Sequence, residues 1–325
     1  MANSKLSEFT EKMNRMSGNG EAFLFIIDYE LNTGILIPTR ECGSAGIFFD
    51  IEGSSNFKKK QISRDIEIIK HTIPYESYLE AFQYIQYQII KGNSYLVNLT
   101  FPTPVDINLN TEEIFQLSEA RYKLMYKDEF LVFSPETFVK ISKGKISAYP
   151  MKGTIDASLE NAQELLFKNE KETAEHATIV DLLRNDLSRV ASNIVVEKYK
   201  YIEKINTSGK NLLQMSSVIS GDLPVNYRQK LGNIIIDLLP AGSICGAPKK
   251  STLEIISHAE KNERGFYTGI FGVFDGENLN SGVMIRFIEN HNGKLVYRSG
   301  GGITAKSNPI EEYQELIDKI YVPVN

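Results

Sequence analysis

Residues 129–154 read EFLVFSPETFVKISKGKISAYPMKGT. Three strand-like runs lie within them, 129–134, 137–142 and 145–149, rich in β-branched and aromatic residues and punctuated by Ser-Pro-Glu and Lys-Gly. No helical pattern separates them. Working outward, further strands are expected at 22–29 (AFLFIIDY), 34–37, 46–51 and 94–100. More follow at 193–201, 214–221, 268–274, 280–289 and 294–299. A helix is expected from Pro74 to Gly92, where Leu79, Phe82, Ile85 and Ile89 recur at helical spacing. Others are expected over 157–185, 229–238 and 249–259, and from Pro309 onward. This order lacks the regular β–α–β alternation of a doubly wound sheet, so the fold class is α+β.

The chain has 325 residues, 42% hydrophobic and 24% charged, with a net charge of −5. That is ordinary for a globular protein and long enough for a large core. Charges of both signs are interspersed, which gives no footprint for nucleic acid or an anionic membrane. The lysine run 58–60 reads as a solvated loop. Cys42 and Cys245 stand outside any Cys-x-x-Cys pattern, so neither a disulfide framework nor a thiolate zinc site is expected. Residues 1–20 are polar and lack a signal-peptide core, and no apolar run approaches a membrane span. A cytoplasmic location is expected.

Two helices carry carboxylates three positions apart, and such residues share a helix face. They are Glu172 with Glu175, and Glu312 with Glu315 behind Asn308 and Pro309. Glutamates near a helix start are ordinary, because they favour the dipole and water. Carboxylates from two helices could also converge on a hard cation such as Mg²⁺. The stretch Gly242-Ser-Ile-Cys-Gly246-Ala-Pro-Lys249 fails as a P-loop, having three residues between its glycines and Pro248 before the lysine. What remains is a helix start suited to an anion. Ser299-Gly-Gly-Gly-Ile303 after a strand fits either a plain turn or close backbone approach to a ligand.

Lys152 closes a strand-like run. A lone lysine is ordinarily a surface residue; as a nucleophile it must lose its proton, through burial or a nearby cation. Arg286 sits among apolar residues, and a buried guanidinium wants a carboxylate from the protein or from a substrate. The four histidines form no metal-spaced pair, and no Gly-x-Ser-x-Gly elbow or complete Gly-x-Gly-x-x-Gly is present.

In order along the chain stand GNSYLVN (92–98), Ser134-Pro-Glu136, Pro150-Met-Lys-Gly-Thr154 and AEHATIVDLLRND (174–186). After them come the 242–249 loop, Arg264-Gly-Phe-Tyr267, Ile285-Arg286, Gly300-Gly-Gly-Ile303 and Glu312-Tyr-Gln-Glu315. Any one is weak, but the ordered set, over about residues 75–320, resembles the chorismate-utilising enzymes: anthranilate, aminodeoxychorismate, isochorismate and salicylate synthases. The resemblance implies an anthranilate synthase-like fold of two packed, mainly antiparallel sheets flanked by helices. It further implies one chorismate-binding catalytic domain over 1–325, with a shortened N-terminal region (about 1–73).

By the same resemblance, Glu175 and Glu315 fall on Mg²⁺ ligands, with Glu172 and Glu312 as outer companions. Gly153, Thr154, Gly246, Tyr267, Arg286 and Gly300 to Gly302 fall on the residues that hold chorismate. Residue 152 selects the subfamily: alanine is typical of the anthranilate, isochorismate and salicylate synthases, and lysine of the aminodeoxychorismate synthases. Lys152 is then the covalent nucleophile and Glu136 the acid for the leaving hydroxyl, with the metal site and Lys249 expected to depress the lysine's pKa. Chorismate and ammonia are the implied substrates, the ammonia coming from solution or from a separate glutamine amidotransferase subunit; no lyase domain is expected. The family's histidine before Leu-x-Ser appears here as Gln214, the threonine of the Gly-Ser-Ile-Thr-Gly loop as Cys245, and the arginines after Gly-Thr are absent. The short N-terminal region argues against tryptophan binding. The alternatives are an anthranilate, isochorismate or salicylate synthase with an unusual lysine, and an inactive protein that only binds a partner.

Overall fold

The computed structural model describes residues 2–206 and 211–324. Its helices are α1 (Ala2–Gly18), α2 (Tyr75–Ile90), α3 (Thr111–Leu117), α4 (Ala162–Lys168) and α5 (Glu170–Ser188), followed by α6 (Leu231–Leu238), α7 (Gly242–Cys245), α8 (Lys249–Glu260) and α9 (Pro309–Asp318). The strands form two sheets, and every ladder between described residues is antiparallel. The first runs Met151–Asp156, Asn211–Asp222, Lys145–Ala148, Thr137–Ser142, Leu279–Val283, Ile270–Phe274, Phe23–Ile27, Gly34–Pro38, with Ser192–Asn206 also on Asn211–Asp222. The second runs Gly246–Ala247, Leu96–Ile107, Lys294–Ile303, Phe287–His291, Phe130–Ser134, Tyr122–Tyr126, Ile47–Ile51, Ser54–Ser55, with Ile68–Lys70 on Leu96–Ile107.

Phe23–Ile27 and Phe130–Ser134 are buried at every position. Alternate side chains of a strand face opposite ways, so such a strand needs cover on both faces. Leu24 and Ile26 meet Phe49, Leu124 and Val132 between the sheets. Phe23, Phe25 and Ile27 instead join Phe9, Met13, Leu231 and Ile235, under α1 and α6. On the second sheet Leu131 and Phe133 pack with Ile114 and Phe115 of α3. The expected two-sheet, helix-flanked α+β fold is therefore what forms.

The sheets exchange the chain at two points. Phe130–Ser134 belongs to the second sheet and Thr137–Ser142 to the first, with Pro135 and Glu136 between them. The expected single strand 280–289 is likewise two, Leu279–Val283 in the first sheet and Phe287–His291 in the second. Arg286 sits in that break with φ +52°, a left-handed conformation directly before the second strand begins at Phe287. The crossovers are tied together: Val283 N donates to Glu136 O at 3.1 Å, and Phe133 N to Arg286 O at 3.0 Å.

Other boundaries also differ from expectation. The 157–185 helix is two, because Asn169 is extended and its side chain caps α5 by accepting from Glu172 N at 3.1 Å. The strand expected to end at Thr100 continues through Pro102 and Pro104 to Ile107. Helices α1 and α3 and strand Tyr122–Tyr126 were not anticipated. No helix among the described residues is long and apolar enough to cross a membrane.

Candidate active site

A cavity of about 1000 Å³ lies where α5, α7 and α9 meet Met151–Asp156, both crossovers and the glycine end of Lys294–Ile303. All the site residues expected from the sequence line it. Glu136 and Arg286 come from the crossovers, Lys152, Gly153 and Thr154 from the edge strand, and Gly246 and Tyr267 from the wall beside α7. Glu172 and Glu175 enter from α5, Glu312 and Glu315 from α9, and Gly300, Gly301 and Gly302 form the wall facing them.

The acidic faces are set by their caps. Asn169 starts α5, and Asn308 starts α9 by accepting from Ile310 N at 2.9 Å and Glu311 N at 3.3 Å. A Cβ on Gly301 would lie 3.5 Å from Glu312 Oε2 and 3.8 Å from Glu315 Oε1, so backbone alone faces the α9 carboxylates. Gly153 has φ +77°, and a Cβ there would press to 3.1 Å from Glu172 Oε2. Gly246, at φ +118°, leaves no room for a side chain, since a Cβ would come 1.8 Å from Leu96 O.

Lysines balance three of the four carboxylates. Lys152 Nζ donates to Glu175 Oε2 at 3.1 Å, Lys171 pairs with Glu312 at 3.3 Å, and Lys319 pairs with Glu315 at 2.6 Å. Lys319 also donates to Gly300 O at 2.8 Å. Burial works against the Lys152 charge, but Glu175, Glu315 and Glu172 outweigh it and hold the ammonium protonated above its ordinary range. Burial and neighbouring Glu175 push Glu172 up. Among the described residues no three His, Cys, Asp or Glu side chains form a metal cluster. A Mg²⁺ ion needs less than that, since one or two carboxylates, waters and a substrate oxygen complete its octahedron. Glu175 Oε1 is buried without a hydrogen-bond partner, and the donors facing the gap are oxygens. The residues present therefore fit a hard divalent cation.

Glu136 is pushed up by burial, while Ser243 Oγ donates to its Oε1 at 2.6 Å. Arg286 makes no ion pair among the described residues, and its Nε is buried without a partner. Its guanidinium lies 5.1 Å from the Tyr321 ring centroid. The choice left open by the sequence falls away from a carboxylate of the described residues; Arg286 is among the residues that line the cavity, with Tyr321 beside its guanidinium. Tyr267, fully enclosed, has its phenol raised to about 12 by burial.

Two expectations need correction. Lys249 does not line the cavity, because it pairs with Asp186 at 2.9 Å and donates to Leu238 O at 3.0 Å. It therefore does not act on Lys152. The anion at the start of α7 is also the protein's own, since Asp186 accepts from the Gly242 amide. Ser243, Lys171 and Lys319 were missed by the sequence reading. Ser243 stands within the 242–249 stretch singled out there, and Lys319 stands four residues after Glu315 on one helix face.

The family model for chorismate binding enzymes matches residues 40–325. The chain belongs to this family. Over its whole length it is 47% identical to an uncharacterized PabA-like protein of Haemophilus influenzae, covering 99% of that protein. It is 30% identical to aminodeoxychorismate synthase component 1 of Bacillus subtilis, over 76% of this chain and 54% of that one. The menaquinone-specific isochorismate synthase MenF of Escherichia coli shares the fold, with TM-score 0.73 over 98% of this chain and 81% of that one at 14% identity. Of the departures from the chorismate-family pattern, Gln214 lines the cavity opposite Thr154. Cys245 points away, its buried thiol 2.9 Å from Ala241 O and raised to about 11 by burial.

Proposed function

We propose that this chorismate-family enzyme is an aminodeoxychorismate synthase component I. It converts chorismate and ammonia to 4-amino-4-deoxychorismate and water, towards para-aminobenzoate and folate, through a covalent adduct on Lys152. The observation that carries the proposal is the place of Lys152 Nζ inside the cavity, between Glu175 and the Gly302 backbone, where an added Cβ would lie 3.5 Å from it. A small dianion entering there meets Arg286, Tyr267 and the glycine backbone at one end.

Glu175 and Glu315, with Glu172 and Glu312 behind them, would hold Mg²⁺, whose charge would offset the carboxylates that keep Lys152 protonated and would favour an anionic substrate. The neutral Lys152 amine adds at ring C2, the ring double bonds shift, and the C4 hydroxyl departs with a proton from Glu136. A raised Glu136 pKa suits that role, because the acid must hold its proton at neutral pH. Ammonia then adds at C4 and expels Lys152, so one substitution becomes two displacements. The ammonia comes from solution or from a separate glutamine amidotransferase subunit.

Incubation of the protein with chorismate, Mg²⁺ and ammonium, followed by product identification, tests this reading. 4-Amino-4-deoxychorismate supports it, whereas anthranilate, isochorismate or salicylate as the only product overturns it. No turnover with either ammonium or glutamine plus an amidotransferase would point to a binding protein instead.

A further inference from the structure

The turn that carries Ser243 is clamped at both ends. At its start the Gly242 amide donates to Asp186, whose charge Lys249 balances at 2.9 Å. A Cβ on Gly242 would lie 2.7 Å from Asp186 Oδ2, so no larger residue fits that close approach. One residue after Ser243, Ile244 O accepts from Asn98 Nδ2 at 3.0 Å and from Arg264 Nη1 at 3.0 Å. Arg264 is itself fixed. It is buried and grips Glu260 in a fork, Nε to Oε2 at 2.8 Å and Nη2 to Oε1 at 2.6 Å, and its Nη2 also donates to Asn98 O at 2.7 Å. Such bidentate pairs fix orientation as well as charge.

A hydroxyl on so rigid a turn does not follow its partner; the partner follows it. The backbone of Glu136 is pinned too, its N donating to Ser134 Oγ at 3.0 Å and its O accepting from Val283 N at 3.1 Å. Between two fixed backbones, the 2.6 Å bond from Ser243 Oγ to Glu136 Oε1 selects one orientation of the carboxyl group. Among the described residues no hydrogen bond reaches Oε2.

We propose that Ser243 is a positioning residue for Glu136: by donating to Oε1 it leaves Oε2 as the oxygen that carries the transferable proton. As the C4–O bond of the substrate breaks, the Oε2 proton passes to the departing oxygen and leaves as water. The carboxylate that remains keeps the Ser243 hydrogen bond, which steadies the charge formed in that step. The inference rests on the acid role assigned to Glu136 above, and it does not depend on which nucleophile follows.

The test measures chorismate consumption against pH for wild type, Ser243→Ala and Ser243→Thr, each with its thermal unfolding curve. Consumption is blind to product, so a failed product assignment and a failed Ser243 assignment are told apart. Glu136 acts only while protonated, so kcat falls as pH rises through its pKa. The Ser243 bond favours the carboxylate and lowers that pKa, so its loss must move the falling limb to higher pH. Ser243→Ala is expected to lose about 10- to 100-fold in kcat, with KM nearly unchanged and the limb displaced upward. Ser243→Thr, which keeps the donor, is expected to restore both rate and limb. If the protein does not turn over chorismate, infrared titration of the Glu136 carboxyl, identified by its absence in Glu136→Gln, reads the same displacement directly. An unmoved titration in Ser243→Ala, or one that Ser243→Thr does not restore, overturns the proposal.

Discussion

Arg286 and Lys152 show how differently a cation can be held at the residue scale. Arg286 occupies a left-handed backbone conformation that costs about 1–3 kcal/mol elsewhere in proteins, and among the described residues it pairs with no carboxylate. Arg286→Lys is expected to raise KM for chorismate about tenfold or more while leaving the unfolding temperature close to wild type, because the planar fork is lost but the charge is not. Steady-state kinetics beside a melting curve checks this. Lys123 is a contrasting case outside the site. It is buried over the Phe115 ring at 4.7 Å, donates to Ser118 O at 2.6 Å, and is lowered to about 8 by burial. A lysine with a depressed folded pKa destabilises the fold fully below about pH 8, and the penalty fades as pH rises towards the unfolded value near 10.5. Lys123→Met should therefore be most favourable relative to wild type at pH 7 and lose that advantage by pH 10. Paired denaturant melts read the difference, and a pH-independent difference contradicts the assignment. Lysine chemistry of this kind was not legible in the sequence, since nothing in the YKLMY run says which face is covered.

Among the elements, the two crossovers account for the site better than any single helix. A strand that leaves one sheet and joins the other must break its ladder, and Glu136 and Arg286 sit in the two breaks. The sequence showed the Ser-Pro-Glu punctuation, so the first break was visible. The second was not, because Val283-Met-Ile-Arg-Phe-Ile holds no Gly, Pro or other turn residue and reads as one strand with a single charged residue in it. Helix α5 gives a further lesson: one helix was expected over 157–185, while the chain is interrupted there by a capping asparagine at position 169. Helix α1 could have been found from Leu6, Phe9, Met13 and Met16 at helical spacing; its polar majority hid that stripe. Asn169→Ala is expected to cost about 1 kcal/mol of stability through the lost α5 cap. It should also reduce chorismate turnover, since Glu172 and Glu175 lie in the first turns of that helix. Equal loss of stability with unchanged turnover would show that the cap does not place the site.

For the whole molecule, carboxylates from α5 and α9 face each other across the cavity with lysines interleaved, an arrangement that awaits a cation and an anion together. Mg²⁺ should raise the unfolding temperature of the wild type, and the rise should shrink in Glu175→Gln and Glu315→Gln. A hundredfold weaker Kd corresponds to about 2.7 kcal/mol less stabilisation at saturating metal. The fold class could be read from ordered motifs, as could the residues those motifs name around the cavity, because spacing along the chain survives folding, whereas Ser243, Lys171 and Lys319 were not picked out. Convergence of the two helices could not be read, because it depends on how the sheets exchange strands. The central claim is the covalent role of Lys152, and peptide mass spectrometry addresses it most directly. After incubation with chorismate and Mg²⁺ but no ammonia, the peptide bearing Lys152 should gain the mass of chorismate less one water, and Lys152→Ala should make no 4-amino-4-deoxychorismate. An unmodified Lys152 peptide, together with a Lys152→Ala protein that still forms the amino product, would contradict the account.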